Sequence, residues 1–199
     1  MDMLPIKRGI LSVTDKSGLA EFASELACFG VELISTGGTR KMLLEAGLDV
    51  KSVSEITGFP EIMGGRVKTL HPNVHGGLLA DKDNPEHLST LEKHGIKTID
   101  MVCVNLYNFA QAVSEGQDLK HAVEQIDIGG PTMLRASAKN FHSVLVVPSP
   151  VHYPRIIEDM KKNDGKISLH LRKDLAAETF AMVSEYDSMI AKYLAEHDA

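Results

Sequence analysis

The chain has 199 residues, with 27 Asp and Glu against 21 Lys and Arg, which gives a formal net charge of −6. It is 43% hydrophobic and 24% charged, with 16 Gly, 8 Pro and 2 Cys. These fractions exclude a collagen-like, low-complexity or disulfide-scaffold protein and predict a single globular domain. Nucleic-acid binders normally carry a basic face, so the net acidity predicts no nucleic-acid partner.

The N-terminal residues and the two cysteines favour a cytoplasmic protein. The first eight residues carry charges where a signal peptide needs an apolar segment, and no run reaches the ~18 apolar residues of a membrane span. Cys28 and Cys103 lie far apart in the chain, each in an apolar stretch, which predicts buried free thiols in a reducing compartment.

The first half of the chain alternates apolar strands with amphipathic helices. Residues 6–13 read as a strand, and residues 18–30 place apolar side chains at helical spacing. A second strand follows at 31–35 and a second helix at 40–46, which closes on Gly47. Short strands that alternate with helices predict a parallel sheet.

The second half continues this alternation after a loop rich in turn residues. Residues 48–53 read as a strand, 57–65 as the loop, and 99–105 as a buried strand. Helices are predicted at 85–94, 118–125 and 131–139, a last strand at 143–147, and helical structure from 151 onward. The predicted fold is α/β, a Rossmann-like parallel sheet of about five strands with helices on both faces, followed by C-terminal helices. We expect one domain over 1–199, with its core at about 7–150 and a helical segment at about 151–199.

Acidic residues are missing from two segments that contain cations. The 19 residues between Glu61 and Asp81 include Arg66 and Lys68, and the 30 residues of 128–157 include Lys139. This segregation favours a pocket for an anionic small molecule. Chance segregation on solvated faces is the alternative.

Polar and glycine residues follow the first two predicted strands, at the edge where parallel sheets bind ligands. Gly37 and Gly38 remove side chains at a helix N-terminus, where free N–H groups favour a phosphate. Hydroxyls and one cation surround them, at Ser12, Lys16, Thr36 and Thr39. A monophosphate site is the functional interpretation, and a tight turn with ordinary helix caps is the structural one. The chain lacks the sequence patterns of a nucleoside triphosphatase and of a dinucleotide enzyme.

His71 and His75 have the spacing of two zinc ligands on a helix. No Glu follows His71 as in H-E-x-x-H, and no third ligand is evident nearby. We therefore expect no metal and no cofactor.

Five ordered motifs resemble the IMP cyclohydrolase domain of the bifunctional AICAR transformylase/IMP cyclohydrolase family. They are 65–72 (GRVKTLHP), 74–77 (VHGG), 105–107 (NLY), 124–131 (EQIDIGGP) and 135–140 (RASAKN). The similarity runs from about residue 7 to 193 and implies a methylglyoxal-synthase-like fold. Two residues depart from the usual family pattern. Asn108 stands where the family usually has Pro, and Gly64 stands where members often have Asp.

The resemblance implies dehydrative closure of 5-formamidoimidazole-4-carboxamide ribotide (FAICAR) to inosine monophosphate (IMP), the last step of de novo purine biosynthesis. The implied catalytic residues are Lys68, Tyr107, Asp127 and Lys139. In our interpretation Asp127 accepts or orients the carboxamide N–H, Lys139 with Tyr107 carries protons to the leaving oxygen, and Lys68 steadies developing negative charge. The N–H groups of Ile128 and Gly129 are candidates for an oxyanion hole. The phosphate set is the one named above, and Arg66, Thr69 and Asn105 complete the substrate contacts.

Two other functions fit part of this pattern. Methylglyoxal synthase shares the phosphate cradle but leaves the motifs at 65–72 and 124–131 unexplained. A non-catalytic nucleotide-binding regulatory domain of the same fold needs the phosphate site without the four catalytic residues. Each of those four residues also has a structural interpretation, as a surface charge, a helix cap or a side chain that covers the hydrophobic core. The resemblance implies a purine nucleotide as ligand. In the full-length family this domain is fused to a transformylase domain, which we expect to be absent from this chain. The full-length family is dimeric, so a homodimer is a candidate state of this chain.

Overall fold

A computed structural model describes residues 2–106, 109 and 118–197. The strands are β1 Met3–Pro5, β2 Arg8–Ser12, β3 Glu32–Ser35, β4 Val50–Ser52, β5 Met101–Val104, β6 Leu145–Val147 and β7 Lys166–Ser168. The helices are α1 Leu19–Cys28, α2 Gly37–Glu45, α3 Val53–Thr57, α4 Pro72–Leu79, α5 Pro85–Lys93, α6 Leu119–Glu124, α7 Gly129–Lys139, α8 Tyr153–Lys162 and α9 Leu169–Glu196. Short 3₁₀ turns lie at Met63–Gly65 and Pro150–His152.

Five strands form one parallel sheet in the order β4-β3-β2-β5-β6. All four residues of β5 and all three of β6 are buried, as their continuous apolar runs predicted. Helix α1 packs on α2 and α8, whereas α7 packs on α4 and α9. The predicted α/β class with a five-stranded parallel sheet is confirmed.

The structure adds elements that the apolar pattern did not reveal. Strands β1 and β7 form a separate antiparallel pair, too short to show alternation. Helix α4 begins at Pro72 and contains Gly76 and Gly77, which resemble helix breakers in the sequence. The predicted strand at 48–53 ends one residue early, because Ser52 caps α3 through a capping box with Glu55.

The strand order reverses at β2, because β3 and β4 lie on one side of it and β5 and β6 on the other. Ligands of open parallel sheets bind at such a switch point, outside the carboxyl ends of the strands. Asn105, just past β5, accepts hydrogen bonds from the N–H groups of Thr14 (2.7 Å) and Asp15 (3.0 Å), just past β2. The two loops at the switch point are therefore fixed to each other.

The C-terminal helix α9 packs on α7 and on strand β6 of its own sheet. Of the two thiols, Cys103 is buried, as predicted, but Cys28 is exposed at the end of α1, so that expectation was wrong for Cys28. Among residues 2–106, 109 and 118–197, no helix is long and apolar enough to cross a membrane.

Candidate functional site

The N-terminus of α2 forms a small polar cradle. The hydroxyls of Ser12, which ends β2, and Thr36, which precedes α2, lie 2.8 Å apart. Gly37 has a φ of +45°, in the left-handed region that glycine adopts without cost. The N–H groups in the first turn have no partner within the helix, so they are available to an anion.

Two of the predicted ligand-binding residues, one from the phosphate set and one from the further substrate contacts, instead build the cradle. Thr39 is buried, and its hydroxyl both donates to the Val13 carbonyl (3.0 Å) and accepts from the Val13 N–H (3.1 Å). The side-chain amide of Asn105 also donates to the Asp15 carbonyl, at 3.0 Å. Both side chains hold the loop after β2 in place. Lys16, on that loop, donates to the Thr14 carbonyl at 3.4 Å.

The ammonium group of Lys68 reaches the same cradle. It lies 4.0 Å from the position that a Cβ on Gly37 would occupy, and it pairs with the Glu61 carboxylate at 2.8 Å. The resemblance implies a position of Lys68 at the reacting amide, whereas its side chain lies at the helix terminus suited to phosphate. Glu61 was missed, because it stands outside the motifs that carried the resemblance.

Asp127 lies at the N-terminus of α7, next to the end of β5. Its carboxylate accepts a hydrogen bond from the Gly130 N–H at 2.9 Å and interacts with the Gly129 N–H. Burial raises the pKa of this carboxyl, and the two N–H groups oppose the rise. The Asp127 N–H donates to the Tyr186 hydroxyl of α9 at 2.9 Å. Tyr186 was also missed, because a tyrosine in an apolar helical stripe resembles a core residue.

Thr69 connects Lys68 to the N-terminus of α7. Its side chain is buried, and its hydroxyl oxygen lies 2.7 Å from the position that a Cβ on Gly129 would occupy. Only glycine permits so close an approach. Lys68 and Thr69 are adjacent in sequence, so one dipeptide contacts the N-termini of both α2 and α7.

Other predicted residues lie apart from this cluster. Lys139 is the last residue of α7, about 15 Å along the helix axis from Gly129. Arg66 is exposed and paired with Glu124, and the side chain of Ile128 is also exposed. The Gly129 N–H faces Asp127, so an oxyanion hole that uses it requires Asp127 to move. Tyr107 lies outside the described residues.

His71, the first residue of the predicted histidine pair, acts in helix structure. His71 caps α4, because its Nδ1 accepts from the Asn73 N–H at 3.1 Å. Within the described parts of the chain, no three His, Cys, Asp or Glu side chains are grouped so as to hold a metal ion.

Family models match most of the chain. Residues 18–132 match the MGS-like domain. The chain belongs to the MGS-like domain family. Residues 137–199 match the model described as AICARFT/IMPCHase bienzyme. The resemblance to the IMP cyclohydrolase domain of that family is confirmed.

The MGS-like chain is similar to several named proteins. It is 51% identical to the bifunctional purine biosynthesis protein PurH of Chelativorans sp. and 52% identical to that of Mesorhizobium japonicum. Each alignment spans 195 residues, 98% of this chain and 36% of the relative, so the chain spans about a third of these relatives. The crystal structure of ForH superposes with a TM-score of 0.81 at 31% identity, covering 94% of this chain and 97% of that one. The two named relatives are proteins of purine biosynthesis.

Proposed function

We propose that the chain is an IMP cyclohydrolase that closes FAICAR to IMP with loss of water. The observation that carries this proposal is the contact of Lys68-Thr69 with both helix N-termini. One terminus suits a phosphate, and the other holds a half-buried carboxylate with a raised pKa. A mononucleotide has a phosphate at one end and its reacting amide at the other, which matches one phosphate-binding terminus and one terminus with a carboxylate.

The reaction sets definite requirements. The carboxamide nitrogen attacks the formyl carbon, and the carbonyl oxygen becomes an oxyanion. The C–O bond then breaks, and this oxygen leaves as water with one proton from each reacting nitrogen. The protein therefore has to hold the two groups together, accept a proton from nitrogen and return it to oxygen.

Asp127 is the residue best suited to accept the carboxamide proton. A carboxylate whose pKa is raised by burial is a stronger base than an exposed one. The backbone bond to Tyr186 fixes the start of α7, and thus the direction of the carboxylate. Thr69 is placed to contact the ribotide or base, and Lys68, with Ser12, Thr36 and Lys16, to hold the phosphate.

The assignments of Tyr107 and Lys139 as proton carriers rest on their motifs. Asp127 precedes α7 and Lys139 ends it, and the helix axis between Gly129 and Lys139 is about 15 Å long, which exceeds the reach of a lysine side chain. This separation favours, as a second candidate, a nucleotide-binding domain without turnover. The position of Asp127 as a cap of α7 fits that candidate as well.

The test is to add FAICAR to the purified chain without metal or cofactor and to follow IMP formation. Wild type is compared with Lys139→Ala and with the matched control Lys120→Ala, an exposed lysine on α6. We expect wild-type closure, unaffected in the control. IMP binding without closure would favour the binding domain, and full activity of Lys139→Ala would remove Lys139 from the mechanism.

A further inference from the structure

Residues 61–68 form a tight hairpin that leads directly into the candidate site. The Ile62 N–H donates to the Val67 carbonyl at 3.2 Å, and the two residues form an isolated antiparallel bridge. The turn between them has three successive positive φ angles, at Met63 (+55°), Gly64 (+62°) and Gly65 (+94°). Met63 is unusual there, because residues with a side chain rarely adopt this conformation.

The hairpin determines which side chains meet at its open end. Glu61 and Lys68 stand one residue beyond the Ile62–Val67 bridge, one on each strand, and cross-strand neighbours interact. Their charged groups are 2.8 Å apart, with 44% of the Glu61 side chain and 32% of the Lys68 side chain exposed. A Cβ on Gly65 would lie 2.7 Å from the Glu61 carboxylate and 2.8 Å from Lys68 Cε. Glycine at this position therefore gives the pair its space.

The pair faces the phosphate cradle. Lys68 Nζ lies beside Gly37 at the N-terminus of α2, so a phosphate bound there meets an ammonium group that already has a carboxylate partner. Two anions then share one cation, and the phosphate has to compete with Glu61.

We propose that Glu61 is a positioning residue and a specificity determinant of the phosphate site. It holds Lys68 at the mouth of the cradle, and it yields the ammonium group to a phosphate monoester dianion but not to a weakly charged anion. This inference rests on the proposed function only in taking a phosphorylated ligand as the occupant of the cradle.

The consequence is a measurable coupling between Glu61 and Lys68. Glu61→Gln keeps a hydrogen-bond acceptor for the ammonium group but removes the competing charge, so phosphate binds more tightly. If Glu61 acts through Lys68, this gain disappears when Lys68 is replaced. If Glu61 merely repels the phosphate directly, the gain is the same in both backgrounds.

The experiment is a double-mutant cycle on the full chain, with inorganic phosphate titrated calorimetrically at constant ionic strength. The proteins are wild type, Glu61→Gln, Lys68→Gln and the double variant. Glu158→Gln is the matched control, because it breaks the exposed Glu158–Lys162 pair (2.6 Å) on α8. Each titration is repeated with chloride in place of a non-competing anion, and the change in phosphate affinity measures how well the site distinguishes phosphate from chloride.

We expect Glu61→Gln to tighten phosphate binding about two- to fivefold, the range of a partly exposed ion pair, and to make it sensitive to chloride. The same change in the Lys68→Gln background has little effect, and Glu158→Gln none. Equal gains in both backgrounds, or no gain in either, would overturn the proposal. So would the absence of phosphate binding by wild type. FAICAR closure measured on the same samples distinguishes failure of the proposed cyclohydrolase activity from failure of the proposed role of Glu61. Coupling between Glu61 and Lys68 without any closure would contradict the activity and support the role of Glu61.

Discussion

The two edges of the parallel sheet differ in the solvent exposure of their charged side chains. At the amino edge, the side chains of Lys82 and Asp100 form an ion pair and are only 10% and 8% exposed. Asp100 also accepts from the N–H groups of Lys7 and Arg8, each at 2.8 Å. The buried Arg172 donates to the Phe141 and His142 carbonyls. These charged groups already have partners within the protein.

At the carboxyl edge, the charged groups near the N-terminus of α2 are held in place but remain open to solvent. Lys68 and Glu61 are about a third and nearly half exposed, and Gly37 and Gly65 have left-handed backbone conformations. A carboxylate at the same edge, Asp127, is half-buried with a raised pKa. The contrast shows that the fold buries the Lys82–Asp100 pair at one edge for stability and leaves the Lys68–Glu61 pair at the other edge available to a ligand.

The largest effect is expected at the carboxyl edge. Asp127→Asn should lower the turnover of FAICAR by about 10²- to 10⁴-fold, the usual worth of a general base. Activity of wild type should fall with decreasing pH at a higher pH than for an ordinary aspartate, because burial raises the Asp127 pKa. A pH profile of kcat/KM checks this, with Asp118→Asn, another helix cap, as the control.

Asp127 should also weaken the fold at neutral pH. A raised carboxyl pKa contributes stability that is complete below the unfolded-state pKa and lost as pH rises through the folded-state value. Asp127→Asn should therefore unfold at an equal or higher urea concentration than wild type at pH 7. A large loss of stability in this variant would assign Asp127 a purely structural role.

At the amino edge, a substitution should lower the stability of the fold and leave turnover nearly unchanged. Asp100→Ala leaves the buried Lys82 ammonium group without its partner and should lower the free energy of unfolding by about 3–5 kcal/mol. Turnover per folded molecule should stay near wild type. Urea denaturation and an activity assay at low temperature test both. Strong loss of turnover without loss of stability would contradict the division between the edges.

A smaller effect is expected for Lys16, on the loop after β2. Lys16→Ala should raise KM about tenfold and change kcat less, because the phosphate lies far from the reacting amide. Steady-state kinetics with FAICAR measures the two separately. An unchanged KM would remove Lys16 from the phosphate site.

The smallest effect concerns the two thiols. Cys28 is exposed and should react with a thiol reagent in the native protein, whereas burial raises the pKa of Cys103 to about 12. Mass spectrometry of the labelled protein should find one modified cysteine, with activity retained. Labelling of Cys103 without unfolding would show that β5 is less protected than its burial implies.

The sequence predicts the sheet well because β5 and β6 are continuous apolar runs and the first strands alternate with amphipathic helices. It does not reveal the buried charges of the amino edge, because Lys82, Asp100 and Arg172 come from distant segments and resemble ordinary surface charges. The site is only partly predictable for the same reason. The motifs bring Asp127 and Lys139 close in sequence, but the helix between them separates them in space. Glu61 could have been found from the Gly64-Gly65 turn, which makes residues 61 and 68 neighbours across a hairpin.

The most direct test of the central claim is a crystal structure of the chain with IMP bound. We expect the phosphate at the N–H groups of Gly37 and Gly38, with Lys68 as its counter-ion. We also expect the base within hydrogen-bond distance of Thr69 or Asp127. A phosphate bound elsewhere, or a base directed away from the N-terminus of α7, would contradict that claim.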